Sequence, residues 1–208
     1  VAVYKTSNSG LLTRREYTSF LAGNSQFIPF EPSGAYDSIA TVTLSSTTTI
    51  TFSSIPASYT HLQIRIMAKT DRPTYNNDLL SLRFNGDTGS NYAYHQVQGN
   101  GSSAVAAQQS SITKIYGVGN IGDTVNAAQN YGVAIIDILD YANTSKYKTI
   151  KSLSGYDANG AGSDPGIVAF SSGLWMSTSA INSVTLLAAE GTGLTSGSTA
   201  ALYGIKGN

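Results

Sequence analysis

The 208-residue sequence has no cysteine, so its fold uses no disulfide and no thiolate chemistry, and either redox compartment would tolerate it. Histidine is almost as scarce: His61 and His95 are the two in the chain, which thins the supply of general bases and metal ligands. Only 12% of residues are charged, and 12 Lys and Arg balance 12 Asp and Glu to a formal net charge of zero. Such a chain has no long-range field to draw in nucleic acid or an anionic membrane. Lys146, Lys148 and Lys151 make a small basic spot, not a phosphate-tracking stripe. No apolar run approaches the roughly 20 residues of a membrane helix, and 1–8 lacks the apolar segment of a signal peptide. What is plentiful is Gly, Ser, Thr and Asn, a low-charge composition that suits packing beside other copies.

The stretch that organises the chain is 130–157. In Tyr131-Gly-Val-Ala-Ile-Ile-Asp-Ile-Leu-Asp140, Val133, Ile135 and Leu139 alternate with Ala134, Ile136 and Ile138. Both sets are apolar, which predicts a strand covered on both faces at the centre of a sheet. After a polar turn, Thr149, Lys151 and Leu153 alternate with Ile150, Ser152 and Ser154, as in a strand with one wetter face.

Residues 1–35 read differently, as an N-terminal arm. Thr13 and Glu16 fit a capping box, with Leu12 and Tyr17 at the ends of a hydrophobic staple, and Gly23 is a stop signal. A short helix over 14–22 is predicted, too short to stand alone. Its apolar side needs cover from this chain's own sandwich or from a neighbouring subunit, and with flanking residues it marks Leu11, Leu12, Tyr17, Phe20, Leu21, Phe27 and Phe30 as candidate anchors. The prolines at 29 and 32 make 27–32 an extended linker.

From Tyr36 onward the pattern is β. Strands are predicted around 39–44, 50–52, 61–68, 80–84 and 92–98, with 39–44 and 50–52 forming a hairpin. Residues 99–109 read as a long polar loop, 112–116 as a short strand, and 117–129 as a loop. Later strands are predicted at 167–176, 181–188 and 200–205. Many short strands between polar turns, with one small helix, predict an antiparallel β-sandwich of jelly-roll type over 36–208.

Several blocks carry a family resemblance: Phe52-Ser-Ser-Ile-Pro56, Tyr59-Thr-His-Leu-Gln-Ile-Arg65, Leu82-Arg-Phe-Asn-Gly-Asp-Thr-Gly-Ser-Asn-Tyr92, Ile136-Asp-Ile-Leu-Asp-Tyr-Ala-Asn143, Ser172-Gly-Leu-Trp175 and Ala201-Leu-Tyr-Gly-Ile-Lys-Gly207. In this order they resemble a β-rich family of virion structural proteins of tailed bacteriophages, of decoration or minor-tail type. The resemblance covers about Tyr36 to the C-terminus. It implies a virion part and brings no catalytic residues or cofactor with it.

Candidate chemistry is sparse. His95 is a candidate partner for Asp87 across the Asn85-Gly86 turn, but no nucleophile motif accompanies it, and a structural histidine is the favoured reading. Asp137 and Asp140 lie three apart on a strand, so they point to opposite faces and make no carboxylate pair. Asp157, Asn159 and Asp164, or Asn85, Asp87 and Asn91, offer hard oxygens. Neither set has the pattern of a calcium loop, and turn chemistry explains both. Tyr92, Tyr94, Tyr116 and Trp175 are the candidate ligand surface, flat faces for sugar rings, although a lone tryptophan is more often core.

The expectation is therefore a non-enzymatic protein on the exterior of a tailed-phage particle, as capsid decoration or a tail-associated part, docked through its arm. No cofactor, metal, nucleic acid or membrane insertion is expected. Its partners would be other virion proteins and further copies of itself, with a trimer as the working number. The alternative is a host-receptor or glycan-binding module of the tail, using the loops at 99–110, 117–129 and 157–166.

Overall fold

A computed structural model describes residues 4–5, 11–12, 35–73, 77–123, 130–159 and 166–207. The chain divides into two compact units, Val1–Ala35 and Tyr36–Asn208. In the first, β1 (Tyr4–Lys5) pairs antiparallel with β2 (Leu11–Leu12). The helix predicted over 14–22 and the linker at 27–32 lie outside the described residues.

The second unit contains β3 (Tyr36–Thr43), β4 (Ile50–Phe52), β5 (His61–Ala68), β6 (Asn77–Phe84), β7 (Tyr92–Gly99) and β8 (Ala104–Ile112). It continues with β9 (Ile115–Gly122), β10 (Gly132–Ile138), β11 (Lys148–Asp157), β12 (Gly166–Trp175), β13 (Val184–Ala188) and β14 (Thr199–Ile205). They form an eight-stranded sheet in the order β3-β14-β5-β10-β11-β12-β7-β8 and a four-stranded sheet in the order β4-β13-β6-β9. Every pairing between these strands is antiparallel. The fold is all-β in two layers, with no helix among the described residues.

Period-two alternation explains where the core sits. Leu62, Ile64 and Ile66 of β5, Ile136 and Ile138 of β10, and Leu202 of β14 point inward from the large sheet. They meet Ile50, Leu80, Leu82, Phe84, Val184 and Leu186 from the small one, all buried in the same cluster. Covering this apolar area is the main force holding the layers together. Tyr92 and Trp175 stack within it at 6.3 Å.

The small sheet ends at β9, which lies beneath the centre of the large sheet, and its free backbone edge needs partners there. Two inward serines of the large sheet supply them. Ser171 donates its hydroxyl to the Gly117 carbonyl at 2.7 Å, and Ser154 Oγ accepts from the Asn120 amide at 3.1 Å. The close approach also explains why β9 is rich in glycine. A Cβ on Gly119 would come within 3.2 Å of Leu80 and 3.3 Å of Ala134.

Four expectations are corrected. The segments 39–44 and 50–52 are not a hairpin: β3 pairs with β14 in one layer and β4 with β13 in the other, so the turn between them crosses the sandwich. The supposed polar loop at 99–109 contains most of β8, a strand exposed along almost its whole length. It escapes a pattern based on burial because little of it is buried. The supposed loop at 117–129 contains most of β9, whose glycines resemble a loop but serve close packing. The fourth concerns β10. It is central in its sheet but covered on one side only, with Val133 53% and Ile135 44% exposed.

Candidate functional site

The uncovered side of β10 belongs to a continuous surface. Strand register aligns Ile135 with Leu153, Leu153 with Phe170, Phe170 with Val97, and Val97 with Ala106 across β10, β11, β12, β7 and β8. The next row out aligns Met67, Val133, Gly155, Val168, Gly99 and Ala104. Directly opposed side chains on one sheet face touch or nearly touch. The two rows therefore form one apolar band on the outer face of the large sheet.

Seven large side chains in this band, Met67, Val97, Val133, Ile135, Leu153, Val168 and Phe170, are between 44% and 60% exposed. Together they present roughly 600 Å² of apolar surface, the upper end of what a typical monomer leaves open. Glycine at 155 and 99 lowers the floor of the second row. A shallow, open depression of about 890 Å³ lies there, lined by Val133, Gly155, Val168, Gly99, Tyr131 and Asp157. A second depression of about 510 Å³, lined by His95, Val97, Phe170, Ala106 and Gln108, reaches the β8 edge.

A polar row borders the band. Gln63, Asp137, Lys151, Ser172, His95 and Gln108 align across the same strands. Gln63 donates to Asp137 Oδ1 at 2.8 Å, Arg65 Nε donates to Gln63 Oε1 at 2.9 Å, and Lys151 stands 3.6 Å from Asp137. The Arg65 guanidinium also lies over the rings of Tyr36 and Tyr203, at 5.8 and 5.4 Å, which holds its charge away from the apolar rows. An apolar strip with an ordered polar rim is the anatomy of a protein-binding surface.

The residues singled out from sequence fall elsewhere. Tyr92 and Trp175 are buried in the core and have no face open to a sugar. Burial pushes the Tyr92 phenol up to about 12. Tyr94 and Tyr116 do come together, with ring centroids 6.0 Å apart, but Lys114 covers the Tyr116 ring at 5.3 Å and the Tyr116 hydroxyl donates to Glu190. The Leu11 and Leu12 backbones form β2, and Tyr17, Phe20, Leu21, Phe27 and Phe30 lie outside the described residues.

The polar candidates serve turns. The Asp87 carboxylate accepts from Trp175 Nε1 at 2.7 Å, Gly89 N at 2.8 Å and Asn91 Nδ2 at 3.0 Å. The Trp175 bond, then those of Asn91 and Gly89, hold its carboxyl below the usual range against the opposing effect of burial. Asn85 receives the amides of Asn182 and Ser183. Asp157 caps the Asn159 amide, and Asp164 lies outside the described residues. Asp140 pairs with Lys146 at 2.5 Å and its amide donates to His61 Nδ1, whereas Asp137 belongs to the polar row. His95 stands on the open face of β7, beside the band. Among the described residues no three His, Cys, Asp or Glu side chains converge on a metal position, and no helix is long and apolar enough to cross a membrane.

Sequence reasoning missed the band although its signal was present. Val133 and Ile135 on β10, and Val168 and Phe170 on β12, are the second apolar set in strands that are apolar on both sides. That signal marks a second apolar face on these strands, which the structure leaves exposed. No protein-family model, curated protein or solved structure matches the chain.

Proposed function

We propose that this chain is a non-enzymatic structural protein on the exterior of a tailed-phage virion, as capsid decoration or a tail-associated part, docked through its N-terminal arm. The observation that carries the reading is the apolar band on the open sheet face. A neutral chain with roughly 600 Å² of contiguous apolar surface inside a polar rim is built to lie against other protein in an assembly. The resemblance of the blocks in 36–208 to tailed-phage virion proteins supports a phage particle as that assembly.

Strand order supports a jelly-roll body, an architecture used by viral capsid domains. Numbering β3, β4, β5, β6, β9, β10, β13 and β14 as one to eight, the large sheet contains the order 1-8-3-6 and the small sheet is 2-7-4-5. That is the order of two Greek keys folded into a jelly roll. The remaining strands are two hairpins, β7–β8 and β11–β12, inserted after the fourth and sixth strands and added beyond β10. Apart from Met67 on β5, all the large side chains of the band lie on β10 and these additions. The insertions thus widen the large sheet and carry most of the band on its outer face.

Mass spectrometry and cryo-electron microscopy of washed particles test the proposal. The expected result is the chain in fixed stoichiometry, with the band and residues 1–30 against neighbouring subunits. Particles lacking the chain would refute it. Deleting 1–30 should leave a folded sandwich that no longer joins particles, and full occupancy by the truncated chain would refute the anchor. A chain missing from particle shells that binds a glycan array would support adhesion instead.

A further inference from the structure

The large sheet ends at β8, and this edge differs from every other strand edge in the unit. Sheets protect their edges with charge, proline, bulges, short strands or a cover, because an open edge is a template for pairing with another chain. The opposite edge, β3, carries the Asp37–Lys206 ion pair at 2.7 Å beside a bulge at Leu202/Tyr203. In the small sheet, β4 is only three residues long, and β9 is closed by Ser154 and Ser171. β8 has one bulge, at its C-terminal end where Ser110 and Ser111 face Ala93, and its stretch 104–109 has none of these protections. Its nine residues, Ala-Val-Ala-Ala-Gln-Gln-Ser-Ser-Ile, include no charge and no proline, and the first eight are exposed.

We infer that β8 pairs antiparallel with β8 of a second copy, joining two eight-stranded sheets into one. A second copy is the occupant that the charge pattern fits. Because β8 carries no charge, no register of the self-pairing sets like charges against each other. Small alanines at 104, 106 and 107 let two backbones approach, and the pairing would satisfy about one backbone hydrogen bond per residue. The outer band ends at Ala106 and Ala104 on this edge, so a two-fold there makes the bands of both copies continuous. The inference stands apart from the virion reading, since it needs only two copies of the chain.

The test uses the full chain in sedimentation-velocity and light-scattering series. Dimer is expected at concentrations on the order of 10 μM, as suits an interface below the standard size of about 800 Å² per partner. Ala106→Lys and Ala106→Asp should each weaken self-association at least tenfold while leaving the circular dichroism and thermal midpoint near wild type. An equimolar mixture of the two should recover association, because opposite charges then face each other. Since the chain has no cysteine, Ala106→Cys alone should give a disulfide-linked dimer on oxidation, and Thr41→Cys on β3 should not. A wild-type chain that stays monomeric at 200 μM, unchanged association in both charge variants, or equal cross-linking at 41 and 106 would each overturn the inference.

Discussion

The two faces of the large sheet are made from the same strands and nearly the same residue types, yet they have opposite fates. Ile136 and Ile135 are neighbours on β10; one is fully buried against the small sheet and the other is 44% exposed. On β12, Ala169 and Phe170 divide the same way. Apolar character therefore does not distinguish core from surface in this molecule. What distinguishes them is that the four-stranded layer covers one face of the eight-stranded sheet and leaves the other open.

Substitutions paired across β10 test the difference most severely. Ile136→Ala should destabilise the fold by about 2–5 kcal/mol in urea titration, as burial with little room for collapse predicts, whereas Ile135→Ala should cost less than about 1 kcal/mol. Equal costs would mean that the outer face is already covered in the isolated chain. A smaller contrast is expected on β12. A Cβ on Gly173 would sit within 2.9 Å of Ile115 and Ile150, so Gly173→Ala should cost about 1–3 kcal/mol, while Ser172→Ala on the outer face should be close to neutral.

One end of the inner face is fastened by Asp87, and its effect should depend on pH. Its carboxyl is held down in the folded state, first by the Trp175 indole, so the stability it contributes is complete above the unfolded value of about 3.9 and is lost as pH falls through the lower folded value. Unfolding midpoints should therefore drop between pH 5 and pH 2. Asp87→Asn should lose about 1–2 kcal/mol near neutral pH and flatten that part of the profile; an unchanged slope would count against the role. The smallest effect belongs to the outer polar row. Lys151→Ala removes an exposed pair at 3.6 Å and should change stability by less than about 0.5 kcal/mol, diminishing further in high salt.

Alternation was enough to locate β5, β10, β11, β12 and β14 within a few residues, because each buries one face at period two. It failed where burial and pattern part company. β8 is open to solvent and has no apolar alternation, and β9 is packed so closely that glycine replaces the side chains that would reveal it. Pairing partners were equally hidden. Ile50 and Phe52 follow β3 in sequence but cross to the other layer, and a polar turn reads the same whether it reverses a strand or bridges two sheets. Burial of the aromatic candidates was equally hidden in the sequence. Aromatic rings drew attention to Tyr92 and Trp175, which stack in the core, while the exposed band consists of ordinary Val, Ile, Leu, Phe and Met.

By itself the sequence determined the class of the fold: absent cysteine, sparse charge and short apolar segments of period two leave a β-sandwich as the way to bury enough surface. It also determined which residues could be apolar together on each strand. Only the tertiary structure decided which of the two sets became core, since that depends on which face of the large sheet the small sheet packs against. It alone decided that β8, with neither charge nor cover, stands at the open edge. Period two specifies that the faces differ, but burial is set by contacts between strands far apart in the chain.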